Sequence, residues 1–344
     1  MGARVARPHV SLEDRLQSLT KRQITEDELV ALVRRGFGST AALDEWRELT
    51  NGTYNAAYSV AVDGRPLVLK VAPPPGLDLL THEVDLMRTE ADFYRRAAVA
   101  GIPVPEVVFA DFDRTLIGSD YAFLSLVPGA DLHTSKDGLT AAQIAVARAE
   151  VAAITARLHA ITGPGYGYPL RGSNSWQRSW RAAFGAMVDD LLADASRLGK
   201  PLPAAPERIG ELLRRHADVL DDVDRPALVH FDLWDGNVFV DSNGRVTGLI
   251  DGERAFFGDP VAEFVSLALF RDLADAPELL AGYAEGSGAP FALTSSVRRR
   301  LNLYTTYLYV IMAIEGATRG WDGPERDSYE AWLSERLEAQ LAML

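Results

Sequence analysis

Cysteine is absent from the sequence, which removes disulfide frameworks, thiol nucleophiles, CxxC redox pairs and zinc–thiolate sites together. Long apolar runs are missing as well. The longest, about Tyr304 to Ile314, falls short of the roughly 20 residues that a membrane-spanning helix needs. Basic residues are the minority charge, 35 Lys and Arg against 48 Asp and Glu, for a formal net charge of −13. No basic run or stripe offsets that balance, so a nucleic-acid partner is disfavoured, because phosphate backbones select Lys/Arg surfaces. The opening MGARVARPHVSLEDR carries no apolar leader core, and Ala6 breaks the N-myristoylation pattern. A cytoplasmic location without a membrane partner is the expectation. Internal repeats and low-complexity tracts are also lacking.

What is there is a chain of 344 residues, 47% hydrophobic and 24% charged. That length suits two lobes, since one hydrophobic core rarely grows past about 250–300 residues. Residues 1–24 read as an N-terminal extension, with a short helix around Ser11–Thr20. Thr25 and Glu28 have capping-box spacing ahead of Leu29, Leu32 and Val33, which predicts a helix. Residues 54–71 switch to strand chemistry around the turn Asp63-Gly64, a predicted hairpin. A helix over Glu83–Ala100 ends at Gly101, and strands are predicted at Glu106–Ala110 and Tyr121–Val127. Pro128-Gly129 breaks the chain. The lobe boundary is placed there, giving lobes at 25–127 and 128–344. Beyond it, Ile144, Ala147, Val151, Ile154 and Leu158 form a buried helical stripe. Further helices are predicted at 174–198, 206–220, 260–272, 297–318 and 325–342, with one hairpin at Ala227–Asp251. The expected class is α+β, a small β-rich lobe followed by a larger, mainly helical one.

The most informative stretch is His230-Phe231-Asp232-Leu233-Trp234-Asp235-Gly236-Asn237, followed by a strand, the turn Asn243-Gly244, and a second strand ending at Asp251. A hairpin centred on that turn sets Asn237 opposite Ile250 and beside Asp251. Directly opposed Cβ atoms lie about 4.5–5.5 Å apart, so an amide oxygen and a carboxylate could share one hard cation. Mg²⁺ suits a site this sparse, because it is commonly held by one or two carboxylates plus substrate phosphates. Asp232 is left as a carboxylate near that cation, able to orient or deprotonate an attacking hydroxyl.

A second component lies in the first lobe. The polar run Leu49-Thr50-Asn51-Gly52-Thr53-Tyr54-Asn55 precedes a strand, and Lys70 ends the next one. Pairing around Asp63-Gly64 sets Lys70 opposite Ala57, just past the polar loop, where a lysine can reach phosphates. Its ammonium needs a carboxylate; Glu90 is the candidate, with Glu83 and Asp85 as fallbacks.

In this motif order, from Leu49 to Phe264, the sequence resembles the aminoglycoside phosphotransferase family, small-molecule kinases with the bilobal protein-kinase-like fold. LHAITGPGYGYP at 158–169 and GDPVAEF at 258–264 also look like that family. The resemblance implies transfer of the γ-phosphoryl group of ATP or GTP to a hydroxyl, with Asp232 as catalytic base, Asn237 and Asp251 as Mg²⁺ ligands, and Lys70 on the nucleotide phosphates, held by Glu90. Asn51, Gly52, Thr53 and Asn55 would cradle phosphates. Ser125-Leu126-Val127 would be the hinge, with the backbones of Ser125 and Val127 against the purine. His230 is expected to brace the loop. Phe231 stands where the family often has Gly, and Glu263 where Asp is usual. Asp259 before Pro260 reads as an N-cap. HxDLWxGN also looks like the motif of fructosamine kinases.

On the acceptor side, Trp176, Trp180, Tyr304 and Tyr307, with Tyr309 and Trp321, lie in helices expected to flank the cleft and could wall a ring-bearing substrate. Trp234, Asp235 and Glu253 are placed near the acceptor, the two acids as attractors of a cationic group. Residues 171–224 carry eight Lys/Arg against nine Asp/Glu, so a strongly polycationic acceptor is not the obvious one. The expected partners are a nucleoside triphosphate and a small hydroxyl compound, in a monomer or homodimer. Antibiotic inactivation leads over fructosamine-kinase-like metabolite repair or another metabolic small-molecule kinase, and a catalytically silent kinase fold is the alternative of another class.

Overall fold

The computed structural model describes residues 18–50, 52–169, 176–321 and 323–344. Helix α1 (Glu26–Phe37) opens on the expected capping box, Thr25 with Glu28, and buries Leu29, Leu32 and Val33. It packs against a five-stranded antiparallel sheet of order β1-β2-β3-β5-β4. The strands are β1 (Leu43–Leu49), β2 (Ala56–Val62), β3 (Arg65–Val71), β4 (Val107–Asp111) and β5 (Tyr121–Ser125). In β2 the residues alternate between buried and half-buried, which puts Ala56, Tyr58, Val60 and Val62 on the α1 side. The β2–β3 register pairs Ala57 with Lys70, as the turn position requires.

Strand β1 has no counterpart among the expected elements. Its LDEWREL sequence lies at the sheet edge and is largely exposed, so no alternating apolar pattern announces it. The helix expected over 83–100 is a 3₁₀ turn, Thr81–Glu83, followed by α2 (Leu86–Val99). Of the short N-terminal helix expected at 11–20, residues 11–17 lie outside the described residues, and 18–20 form a turn.

The remainder is mainly helical: α3 (Leu132–Ser135), α4 (Ala141–Leu158), α5 (Trp180–Arg197), α6 (Pro206–Arg215), α7 (Phe264–Leu267), α8 (Pro277–Ser287), α9 (Ser295–Arg319) and α10 (Pro324–Leu341). Helix α5 starts at Trp180, and residues 174 and 175 of the predicted span lie outside the described residues. The span expected at 260–272 is a 3₁₀ turn, Pro260–Glu263, plus the single turn α7. Helix α8 was not expected, because its small residues carry little apolar periodicity. Their size has a packing reason. A Cβ on Gly282 would lie 2.0 Å from the Ala149 carbonyl oxygen, and one on Gly286 would lie 2.3 Å from that of Ala153, so α8 sits directly on α4.

Five short strands complete the fold. β6 (Ala130–Asp131), β8 (Val238–Val240) and β9 (Val246–Leu249) make one sheet, and β7 (Ala227–Val229) pairs with β10 (Phe256–Gly258). One apolar cluster links Met87, Phe93, Ala122 and Leu124 to Val151, Leu158, Leu249 and Phe257, so α2 and β5 share a core with α4 and the β8–β9 hairpin. No helix among the described residues is long and apolar enough to cross a membrane.

Candidate active site

The β8–β9 hairpin positions the first group of site residues. Val238 pairs with Leu249, and the Ile250 N–H donates to the Asn237 carbonyl at 3.0 Å, so Asn237 and Asp251 end adjacent strands as the turn position implies. A bulge between Phe239 and Val240 shifts only the end nearer the turn. The Asn237 amide nitrogen donates to the Asp232 carbonyl at 2.8 Å and to Asp232 Oδ2 at 3.1 Å. Those bonds direct the amide oxygen of Asn237 away from Asp232. Asp251 has a left-handed backbone (φ 60°), and its side chain remains 39% exposed.

Lys70 joins this group from β3. Its Nζ lies 2.7 and 2.8 Å from the two oxygens of Glu90 on α2, and 2.7 Å from Asp251 Oδ1. Burial opposes its charge, but Asp251 and Glu90 outweigh it and hold the ammonium protonated well above the usual lysine range. Partial desolvation also works against the Asp251 charge, and Lys70 lowers its carboxyl below the usual carboxylate range. The fallback carboxylates are engaged elsewhere, Glu83 with Arg319 and Asp85 with Arg114.

Tyr94 was not foreseen. One turn beyond Glu90 on α2, its hydroxyl donates to Glu90 Oε1 at 2.7 Å and accepts from the Asp251 N–H at 2.9 Å. Burial first, then Glu90 and Asp251, push its phenol up. An i,i+4 search from Glu90 would have found it. Phe93, its neighbour, packs edge-on against His230 with ring centroids 5.0 Å apart, and a Cβ on Gly252 would meet Phe93 Cδ1 at 2.2 Å.

The loop carrying Asp232 is held from below. Both oxygens of the buried Glu263 take backbone N–H groups, His230 at 2.7 Å and Phe231 at 2.8 Å, and Ser266 Oγ accepts from the Leu233 N–H at 3.1 Å. His230 Nδ1 accepts from the Asp232 N–H at 3.2 Å, and Nε2 lies 2.9 Å from the Ile250 carbonyl. With Nδ1 accepting, Nε2 is the nitrogen left to donate to that carbonyl. Phe231 has φ 64°, a conformation that costs an L-residue about 1 kcal/mol and that glycine adopts freely. Its ring is buried among Phe256 and Tyr307, which offsets that strain. Phe231→Gly should relieve the backbone yet lose the ring, for a net destabilisation of about 2–3 kcal/mol. A chemical-denaturation midpoint equal to or above wild type would show the ring to be dispensable.

The first-lobe loop approaches from the other side. Asn55 donates from Nδ2 to Glu253 Oε2 at 2.7 Å. Burial, with Glu90 and Asp251 adding to it and Lys70 opposing, pushes Glu253 up to about 8. Glu253 thus faces the loop and is a poor fixed charge for a cationic acceptor. Gly52 and Thr53 lie in the same loop, and Asn51 lies outside the described residues. In the segment expected to form a hinge, the Ser125 N–H is used by the Glu106 carbonyl at 2.9 Å, so it is not a donor for a base.

Several expected acceptor residues are placed differently. Trp180, Tyr304 and Tyr307 are 0%, 0% and 1% exposed and form a core cluster with Phe184, so they do not wall a ligand. Trp180 and Tyr304 are hydrogen-bonded to each other, and Tyr304 to the buried Asp259, which caps the turn after Pro260 and pairs with Arg300. Trp176 packs edge-on against Phe257. Asp235 is paired with Lys136 and, at 2.7 Å, with Arg148, so its charge is neutralised within the protein. Trp234 covers Gly236, with the His133 ring 5.3 Å away. Arg254 pairs with Glu315 at 2.6 Å. Burial works against the Glu315 charge, yet Arg254 and Arg319 hold its carboxyl down to about 2.

Asn237 and Asp251 offer hard oxygen donors of the kind Mg²⁺ takes. Among the described residues no group of three His, Cys, Asp or Glu is placed to hold a metal by itself. A cation here would therefore complete its shell with nucleotide phosphates or water.

A bilobal α+β chain with a buried lysine–glutamate pair, an Asp–Asn loop and an Asp after the second strand has the architecture of a small-molecule kinase. The model of the phosphotransferase enzyme family matches residues 45–303, well over half of the chain, and the chain belongs to that family. Among solved structures the chain is similar to aminoglycoside phosphotransferase APH(4)-Ia in a ternary complex with AMP-PNP and hygromycin B, at 20% identity and TM-score 0.64, covering 92% of this chain and 98% of that one. A protein from Haemophilus somnus 129PT assigned as a fructosamine-3-kinase has 16% identity and TM-score 0.63, covering 90% and 96%. Acyl-CoA dehydrogenase family member 11 of Mus musculus is 25% identical over 247 residues, 68% of this chain. The alignment spans 29% of that protein, so the chain corresponds to under a third of the length of this curated relative.

Proposed function

We propose that the chain transfers the γ-phosphoryl group of ATP or GTP to a hydroxyl of a small sugar-bearing compound, such as an antibiotic, and so inactivates it. The observation that carries this reading is Lys70 Nζ bridging Glu90 and Asp251, with Asp232 and Asn237 linked alongside. Nucleotides bound in the similar aminoglycoside phosphotransferase structures support the donor class. Lys70 would neutralise non-bridging phosphate oxygens, and Glu90 with Tyr94 keeps its ammonium in place. Asp232 would accept the hydroxyl proton as the acceptor oxygen bonds to the γ-phosphorus and the bond to the β–γ bridging oxygen breaks. Mg²⁺ bound with the nucleotide would supply charge neutralisation, with Asn237 and Asp251 as its protein ligands.

A second reading, a metabolite or glycated-amine kinase, is favoured by the pairing of Asp235, Asp259 and Glu315 with cations of the chain itself. Carboxylates neutralised in this way offer little to a polycation. The discriminating experiment is nucleotide turnover with Mg²⁺, using ATP and GTP, across aminoglycosides, macrolides, peptide and nucleoside antibiotics and glycated amines, with product masses recorded. A one-phosphoryl gain on an antibiotic class supports inactivation, and a gain on glycated amines alone moves the function to repair. No nucleoside diphosphate with any of these acceptors would overturn both antibiotic inactivation and glycated-amine repair and leave another metabolic kinase or a binding module.

A further inference from the structure

The loop between β1 and β2 is held by a segment that precedes α1. Ser18 Oγ donates to the Thr53 carbonyl at 2.8 Å, and Thr20 Oγ1 donates to the same oxygen at 3.2 Å. Both side chains are buried, Thr20 completely. Between them, the Leu19 N–H donates to the Arg319 carbonyl at the end of α9, at 3.0 Å. Arg319 is itself fixed by Glu83 and lies over the Tyr54 ring, 5.1 Å from guanidinium carbon to centroid, while the Tyr54 hydroxyl donates to the Glu83 carbonyl at 2.7 Å. The segment thus straps the loop to the helical lobe.

Two hydroxyls on one carbonyl do more than add contact. In a trans peptide the C=O and the following N–H point in opposite directions. Pinning the Thr53 oxygen toward the strap therefore turns the Tyr54 N–H toward the other side of the loop. Loops that cradle phosphates work through backbone N–H groups aimed in one direction. We infer that Ser18 and Thr20 are positioning residues for nucleotide phosphates, acting through the Thr53–Tyr54 peptide plane. This role rests on the phosphotransferase reading.

The test is a set of dissociation constants for Mg·ATP, Mg·GTP, adenosine and guanosine, measured on the full chain by titration calorimetry or competition. Ser18→Ala/Thr20→Val should weaken the preferred triphosphate about tenfold and leave the matching nucleoside unchanged. Thr20→Val alone should show a smaller loss of the same kind, and Thr20→Ser, which keeps the donor, should restore wild-type binding. Melting temperatures confirm that the variants are folded. The role is overturned if the double variant binds triphosphate like wild type, if triphosphate and nucleoside weaken equally, or if Thr20→Ser is as weak as Thr20→Val. A wild-type chain that binds neither triphosphate overturns the phosphotransferase reading itself and this role with it, a result distinct from the other three.

Discussion

Asp232→Ala should lower acceptor-dependent phosphoryl transfer by about 10³-fold or more while leaving nucleotide affinity close to wild type. The loop does not depend on this carboxylate for its shape. Its backbone is held by Glu263, Ser266, His230 and the Asn237 amide, which takes the Asp232 carbonyl at 2.8 Å. The substitution removes the 3.1 Å contact from Asn237 to Oδ2, the attraction of this carboxylate for Arg254, and the base itself. A loss of rate with retained nucleotide binding and an unchanged melting temperature is the signature of that role. Turnover by the variant comparable with wild type would sink the assignment.

Lys70→Ala should cost roughly 10²- to 10³-fold in rate, from lost charge stabilisation at the phosphates. It should also destabilise the fold. Lys70 stands between Glu90 and Asp251, and removing one partner of a buried ion pair costs about 3–5 kcal/mol because the other is left uncompensated. The two effects separate in the double variant Lys70→Ala/Glu90→Gln. Removing the Glu90 charge together with its cation should recover much of the melting temperature, since Tyr94 can still hydrogen-bond an amide there, but none of the rate. If the single variant turns over at the wild-type rate, another lysine does this work.

Local pattern carried much of the design. The turn at Asp63-Gly64 sets Lys70 against Ala57, and the turn at Asn243-Gly244 sets Asn237 and Asp251 side by side; both pairings occur. Registers of this kind are legible because a two-residue turn leaves the flanking strands little choice. Partner choice across the fold is another matter. The aromatic spacing of Trp180, Tyr304 and Tyr307 is the same whether the residues face a ligand or a core, and here the core takes them. Asp235 finds Lys136 and Arg148 on elements far away in sequence, and no local spacing announces either. Strand β1 escapes for a different reason: a charged edge strand has no buried face to impose alternation. The hold of Ser18 and Thr20 on Thr53 is equally invisible, since hydroxyl residues ahead of a helix read first as caps.

The contact between Phe93 and Gly252 has a bearing on control. With no room for even a methyl group on Gly252, and with Tyr94 tied to Asp251, helix α2 is wedged against the turn that follows Asp251. Swinging that helix outward would part Glu90 from Lys70, and the wedge opposes it. These contacts favour the engaged position of this helix, with Glu90 on Lys70, before any nucleotide binds. Hydrogen exchange along α2 should be equally slow with and without nucleotide, and a large gain in protection on nucleotide addition would reveal a switch. In its absence, and on the phosphotransferase reading, nucleotide would meet Lys70 and Glu90 already paired.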